Sequence, residues 1–301
     1  MISVVVCTCN RPEELRRCLD SLRRQTRRAD EIVVVCSGSD RTGASVCADY
    51  PEAVVVRIGE DNVSLARDAG IEASRGEQLF FFDDDAEPEP CFLEAMSPLL
   101  ALPGTGGVGG MVLTPSGACE FRNGVIDRLG RQIPVRRSDE PLPAGFLPTV
   151  KGCGCGFRRE ALAAVGNFDP NFVFSFDEAD VALSMTDRGW RIRHSETASV
   201  IHHSAAGVYR SRGIAEKNWR VELCSHTCFV LKHAAGPGGR RRGLVRVRLR
   251  ICKTALRLAG AFLRGECTFL RWLRLLSELP AGLRDGLRRS VPAAGMDRMK
   301  N

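Results

Sequence analysis

The sequence predicts an α/β protein with an open, mainly parallel sheet flanked by helices, followed by a basic helical extension. Three observations carry this. Apolar runs that are continuous rather than alternating, at Ser3–Cys7, Glu31–Val35 and Gln78–Phe82, fit strands covered on both faces. Segments of helical spacing separate them, as right-handed crossovers between parallel strands require. From Pro237 onward 16 Lys/Arg stand against 4 Asp/Glu, a net of +12, whereas residues 1–236 carry a net of −5. The chain therefore divides into an acidic body, 1–236, with halves 1–115 and 116–236, and a basic tail, 237–301.

The first strand stops at Thr8, Cys9 and Asn10, where Asn10 can cap a helix and Glu13 completes a capping-box pattern. Leu15, Cys18, Leu19 and Leu22 then share one helical face. Strands follow at Glu31–Val35 and Val54–Ile58, a helix at Ser64–Ser74, the strand Gln78–Phe82, a helix at Cys91–Leu102 and a strand at Val108–Leu113. Sheets of this kind bind ligands beyond the carboxyl ends of their strands. Three polar clusters sit at such ends: Thr8–Asn10, Ser37–Asp40 and Asp83–Asp85. In the second half, the polar, Pro-rich stretch Arg131–Pro148 reads as a loop. Gly-rich Lys151–Gly156 leads into a helix at Arg159–Val165, and a helix at Glu178–Arg188 precedes short strands at Arg191–His194 and Ser199–His203. The Pro-Gly-Gly-Arg-Arg-Arg segment after Gly236 marks a boundary.

With 44% hydrophobic and 26% charged residues, the 301-residue chain has an ordinary globular composition. Its 13 cysteines are scattered singly through apolar segments, and Met1 leads straight into a strand. Reduced, core-filling thiols in a cytoplasmic protein are expected. No run approaches the ~20 apolar residues of a membrane span. Neither a GxxxxGK[ST] loop nor a GxGxxG after the first strand occurs, which disfavours a P-loop nucleotidase and a nicotinamide-dependent dehydrogenase.

The chemistry concentrates in three blocks. In FFFDDDAEPEP, residues 80–90, three carboxylates end a buried strand and repel one another unless a cation offsets them. A divalent ion with oxygen ligands, its shell completed by substrate phosphates, resolves that; a solvated acidic turn is the plainer alternative. In FDEADVALSMTDRGWRIRHSETASVIHH, residues 176–203, Asp177, Glu178 and Asp180 gather at a helix N-terminus, which by itself means capping. His202 and His203 end an apolar strand and make a mixed nitrogen/oxygen metal site plausible. In VKGCGCGFRREALAAVGNFDPNF, residues 150–172, the glycines suit close backbone approach, while Cys153 and Cys155 lack zinc-knuckle spacing and are assigned to packing.

Taken in order, VVVCTCNRPEELRRCLDSL, SLARDAGIEASRGEQLFFFDDDAEPEP, GCGCGFRREALAAVGNFD, DEAD, GWRI and ASVIH resemble the family 2 glycosyltransferases over roughly residues 1–235. The resemblance implies a GT-A fold and inverting transfer of a sugar from a nucleoside-diphosphate sugar to an acceptor hydroxyl, in glycan, glycolipid or polysaccharide assembly. It implies a divalent metal, Mn²⁺ or Mg²⁺, held by Asp85 with His202, and nucleotide-sugar contacts from Thr8, Asn10, Arg67, Asp83 and Asp84. Glu178 stands where the family's catalytic Asp sits and Asp177 where its Glu sits, so either can be the base, Glu178 first. Strand two ends Val35-Cys36-Ser37 without the carboxylate that often contacts uracil in relatives, so Ser37 is left to meet the base and thymidine or guanosine donors stay open. Asp68 replaces the usual Asn of the family's "ARN". A non-catalytic nucleotide-sugar-binding partner subunit is the alternative, as is transfer to a protein or a small natural product.

The tail carries apolar stripes, Val245, Leu249, Cys252, Leu256 and Ala259, then Phe269, Trp272, Leu273 and Leu276, among arginines. That pattern, over 240–289, suits a helix lying in an anionic interface, peripheral on the inner face of a membrane, where a lipid-linked acceptor would be met; packing against the body is the plainer reading. No nucleic-acid reading module is present.

Overall fold

The computed structural model describes residues 1–205, 214–234 and 238–290. It contains two compact units, Met1–Ser211 and Arg212–Asn301.

In the first unit, β1 (Ile2–Thr8), β2 (Glu31–Cys36), β3 (Ala53–Arg57) and β4 (Gln78–Asp83) form a parallel run in the order β3-β2-β1-β4. Crossovers run through α1 (Pro12–Arg23), α2 (Gly43–Cys47) and α3 (Val63–Ala73). Beyond β4 the sheet continues with β11 (Cys155–Arg158), β6 (Thr105–Leu113), β12 (Arg191–His202) and β5 (Ala86–Pro88), in mixed directions, and β7 (Cys119–Phe121) pairs with β6. Antiparallel β11 intervenes between β4 and β6, while β6 and β12 pair parallel to each other, so the sheet is mainly parallel with β11, β5 and β7 antiparallel. Helices α4 (Phe92–Ala101), α5 (Arg159–Val165) and α6 (Asp177–Asp187) complete the covering layers.

The continuous apolar runs follow from burial on both faces. Phe80 and Phe82 pack with Leu15, Leu19 and Met96 on one side, while Leu79 and Phe81 pack with Ile71, Leu162 and Met185 on the other. Cys153 and Cys155 join opposite cores, each fully buried, in keeping with packing. Cys91, Cys119 and Cys252 are exposed rather than core-filling.

Local details depart from the sequence expectation. Asn10 does not cap α1: it takes a left-handed φ of 55°, Arg11 occupies the cap position without a side-chain bond, and Pro12 opens the helix. Instead Asn62 caps α3, accepting from the N–H groups of Ser64 and Leu65. The two short strands expected over 191–203 are one strand, β12, with a register shift between His194 and Ser199. Within the expected loop, β9 (Gln132–Ile133) and β10 (Phe146–Pro148) join β8 (Val125–Asp127) in a small antiparallel sheet.

The second unit holds α7 (Trp219–His233), α8 (Gly239–Leu263) and α9 (Phe269–Arg289) around Trp219, Leu223, Leu258, Leu275 and Leu279. The boundary expected at 236/237 lies outside the described residues, and the helices on either side of it share this unit. Gly282 and Gly286 let α9 approach α7, since a Cβ at either would meet the backbone carbonyl of Arg220 or Cys224 within 2.8 Å. Among the described residues no helix is long and apolar enough to cross a membrane.

Candidate active site

Sheet register levels the ends of β1, β2 and β4: Thr8 lies beside Cys36, and Cys7 beside Asp83. The three polar clusters picked out in the sequence therefore converge. β12, antiparallel to β5, sets His202 opposite Ala86 and so brings it back to the acidic turn.

Asp83, Asp85 and His202 each offer a ligand atom, and these atoms lie within 4.8 Å of one another. His202 Nε2 is 3.6 Å from Asp85 Oδ1, while its Nδ1 lies 3.2 Å from Glu120 Oε2. A proton on Nδ1, donated to Glu120, leaves the Nε2 lone pair facing the aspartates, as metal-binding histidines are commonly held. His203, just past the end of β12, points elsewhere, to Glu87 at 2.6 Å and Arg17 at 3.1 Å.

Asp83 ends β4 and Asp84 opens the turn after it, and the two, expected together on the nucleotide, have different partners. Asp84 is fully buried; it accepts from Thr8 Oγ1 at 2.8 Å and from Arg11 Nε at 3.1 Å. Burial pushes its carboxyl up to about 7 against the pull of Arg11. Arg11 also reaches Asp85 Oδ2 at 3.3 Å, so one guanidinium offsets two of the three crowded carboxylates. Thr8, expected at the nucleotide, thus has its hydroxyl engaged by Asp84.

Arg67 is buried where α3 crosses the strand ends, held there because Gly70 lets the helix sit on Val5; a Cβ at Gly70 would collide with that side chain. Its guanidinium pairs with Asp177, reaches Asp83 Oδ1 at 3.4 Å and the Gly152 carbonyl at 3.3 Å. A Cβ at Gly152 would strike this guanidinium, which explains the glycine. Arg67 therefore ties the acidic turn to the start of α6. There Phe176 takes a left-handed φ of 71°, Asp177 is buried and Glu178 is half-buried beside it. Burial pushes the Asp177 carboxyl up, Arg67 opposes this, and Glu178 adds to the push through its charge and a hydrogen bond.

At the far end of the crevice, Asn10 donates its backbone N–H to Asp40 at 2.7 Å and its side-chain N–H to the Ser39 carbonyl at 2.7 Å. Asp40 also accepts from the Gly43 N–H at 2.9 Å, so it fastens this loop. Ser37 is half-buried next to it. Asp61, from another loop, accepts from the Ser39 N–H at 3.2 Å and its hydroxyl at 3.1 Å. Arg11, Glu120 and Asp61 contact these clusters and belong to none of the residues singled out in the sequence. Arg11 carried a signal, as the cation next to a strand-end turn destined to face three carboxylates; Glu120 and Asp61 sit in segments without periodicity and carried none.

The sheet and its covering helices are those of a GT-A fold. The mannosyltransferase PcManGT of Pyrobaculum calidifontis, solved with GDP-Man and Mn²⁺, superimposes with a TM-score of 0.57 at 17% identity, covering 95% of this chain and 86% of that one. The glycosyl transferase family 2 model matches residues 3–166, more than half of the chain, and the chain belongs to that family. The glucosyl-dolichyl phosphate glucuronosyltransferase of Haloferax volcanii is 31% identical over 67% of this chain and 68% of its own length. The O-antigen biosynthesis protein RfbC of Myxococcus xanthus is 26% identical over 79% of this chain, which spans only 20% of RfbC.

Proposed function

We propose that the chain transfers a sugar from a nucleoside-diphosphate sugar to an acceptor hydroxyl by a single inverting displacement, with Glu178 as the base. The observation that carries this is Arg67, which joins Asp83 of the acidic turn to Asp177 at the head of α6. This supports reading the metal-type cluster and the acid pair as parts of one strand-end crevice. The donor set of Asp83, Asp85 and His202 fits a divalent cation, being two carboxylate oxygens and one imidazole nitrogen. When bound, the ion offsets charge developing on the departing diphosphate. Glu178, half-buried, accepts the proton of the acceptor hydroxyl as its oxygen bonds to the anomeric carbon. Asp177, buried and paired with Arg67, holds Glu178 in place. Ser37, Ser39 and Asp61 line the end that receives the base of the donor.

The Haloferax relative acts, by its name, on a glucosyl-dolichyl phosphate. A lipid-linked acceptor is proposed here too, met at the cytoplasmic face of a membrane. The test is incubation with Mn²⁺ and a panel of nucleotide sugars, reading free nucleoside diphosphate and, by NMR, the anomeric configuration of the product. Release of diphosphate with inversion is expected, and Asp85→Ala should abolish both turnover and Mn²⁺-dependent nucleotide binding. A folded Asp85→Ala chain with near-normal turnover in chelator would remove the metal assignment; product of retained configuration would remove the mechanism.

A further inference from the structure

The outward face of α8 is apolar. Val245, Leu249, Cys252, Leu256 and Leu263 recur at steps of four, three, four and seven residues, one stripe along the helix. All five are exposed, Leu256 by 74% and Leu263 by 82%. The stripe is not the face by which the helix packs: Gly243, Val247, Thr254, Leu258 and Ala261, on the opposite side, do that. At the turn into α9 the stripe meets further uncovered apolar groups, Phe269, Leu270 and Leu273, beside a stack of Phe262 on Trp272 with centroids 5.3 Å apart.

Charge decides what can cover this face. The 25 residues of α8 contain seven Arg and one Lys and no Asp or Glu. At 3.6 residues per turn, Arg246, Lys253 and Arg257 fall along one border of the stripe and Arg241 and Arg248 along the other. A leucine row bordered on both sides by long cationic side chains matches a helix lying flat at a bilayer, its leucines among acyl chains and its cations raised to the phosphates. A second copy of the chain would bring the same cations against each other, so self-association on this face is opposed.

We propose that the exposed face of α8, with the α8–α9 turn, is a docking surface for an anionic lipid bilayer. It stands apart from the sugar-transfer reading, because it needs neither nucleotide nor metal. Vesicles of phosphatidylcholine, with and without a minority of phosphatidylglycerol, are sedimented with the full-length chain at low and high salt. The wild type should pellet with the anionic vesicles only and be released by high salt. Leu256→Glu combined with Leu263→Glu alters only exposed side chains, so circular dichroism and elution volume should be unchanged while the pelleted fraction falls at least tenfold. Arg246→Gln, Lys253→Gln and Arg257→Gln together should weaken binding and flatten its salt dependence. A wild type that stays in the supernatant, as an acidic protein partner would require, overturns the proposal. So does a double-Glu variant that pellets like the wild type, or a wild-type dimer that this variant converts to monomer without any vesicle binding.

Discussion

Asp177 is buried and paired with the Arg67 cation, whereas Glu178 is half-buried beside it, and this difference separates the two acids experimentally. Removing a general base costs ~10²–10⁴ in turnover. Glu178→Gln should show that loss with donor affinity and thermal stability retained. Asp177→Asn leaves the buried Arg67 with Asp83 as its charged partner, at 3.4 Å, so it should cost less than the roughly 3–5 kcal/mol of a fully orphaned buried charge. It should appear first as a lowered melting temperature, measured beside steady-state kinetics on the same samples. The reverse order would make Asp177 the base. Asp68 offers a second residue-scale test. Burial pushes its carboxyl from 3.8 up to about 6, opposed by the Phe168 N–H that it accepts at 3.0 Å. Between those pH values the folded chain keeps a proton that the unfolded chain has released, so this group's contribution to stability falls as pH rises through the window. Asp68→Asn can keep the acceptor oxygen without the charge. It should raise stability near pH 7 by about 1 kcal/mol, discounted because water still reaches the group, and change nothing below pH 4. Denaturant melts of both chains at the two pH values check this.

The elements of the first half were legible because each carried its own signal: continuous apolar strands, Leu15 to Leu22 on one helix face, carboxylates massed at Asp83–Asp85. What stayed hidden was set by contacts distant in sequence. Asn10 looked like a cap, yet its backbone N–H goes to Asp40, thirty residues on, and Pro12 opens the helix without it. The strands of the Arg131–Pro148 stretch are two or three residues long, too short for period-2 alternation to register. Gly70 is the element-scale residue with the clearest consequence. Its missing Cβ is what lets α3 lie on Val5 and carry Arg67 over the strand ends. Gly70→Ala has to move the helix, at a cost of roughly 1–3 kcal/mol for overpacking. The expected result is a lowered melting temperature together with donor affinity lost by tenfold or more, read by calorimetric titration with nucleoside diphosphate and Mn²⁺. Loss of stability with donor affinity intact would show that α3 does not position Arg67.

At the scale of the whole molecule, the proposed metal, base and donor residues all fall in Met1–Ser211, from Thr8 through Asp177 to His202. The helical unit Arg212–Asn301 has its own apolar core and contributes none of them. The sequence read the division from charge, placing it at the arginine run after Gly236, but charge marks where the basic helices begin and not where a core ends. Helix α7 carries mixed charges and packs with α8 and α9, so its membership was not written in composition. A fragment ending at residue 211 should therefore fold and bind nucleoside diphosphate with Mn²⁺ as the full chain does, within about threefold. Ligand that binds only the folded state stabilises it by about 2.7 kcal/mol at a hundred times its dissociation constant. The melting of the fragment, followed through Trp190, which is the sole tryptophan left after Trp219 and Trp272 are removed, should rise with ligand as it does in the full chain. Vesicle binding should be lost from the same fragment, since every residue of the leucine stripe is gone. A fragment that folds but no longer responds to nucleotide would mean that the helical unit completes the donor site, and the assignment of donor binding to the first unit alone would fall.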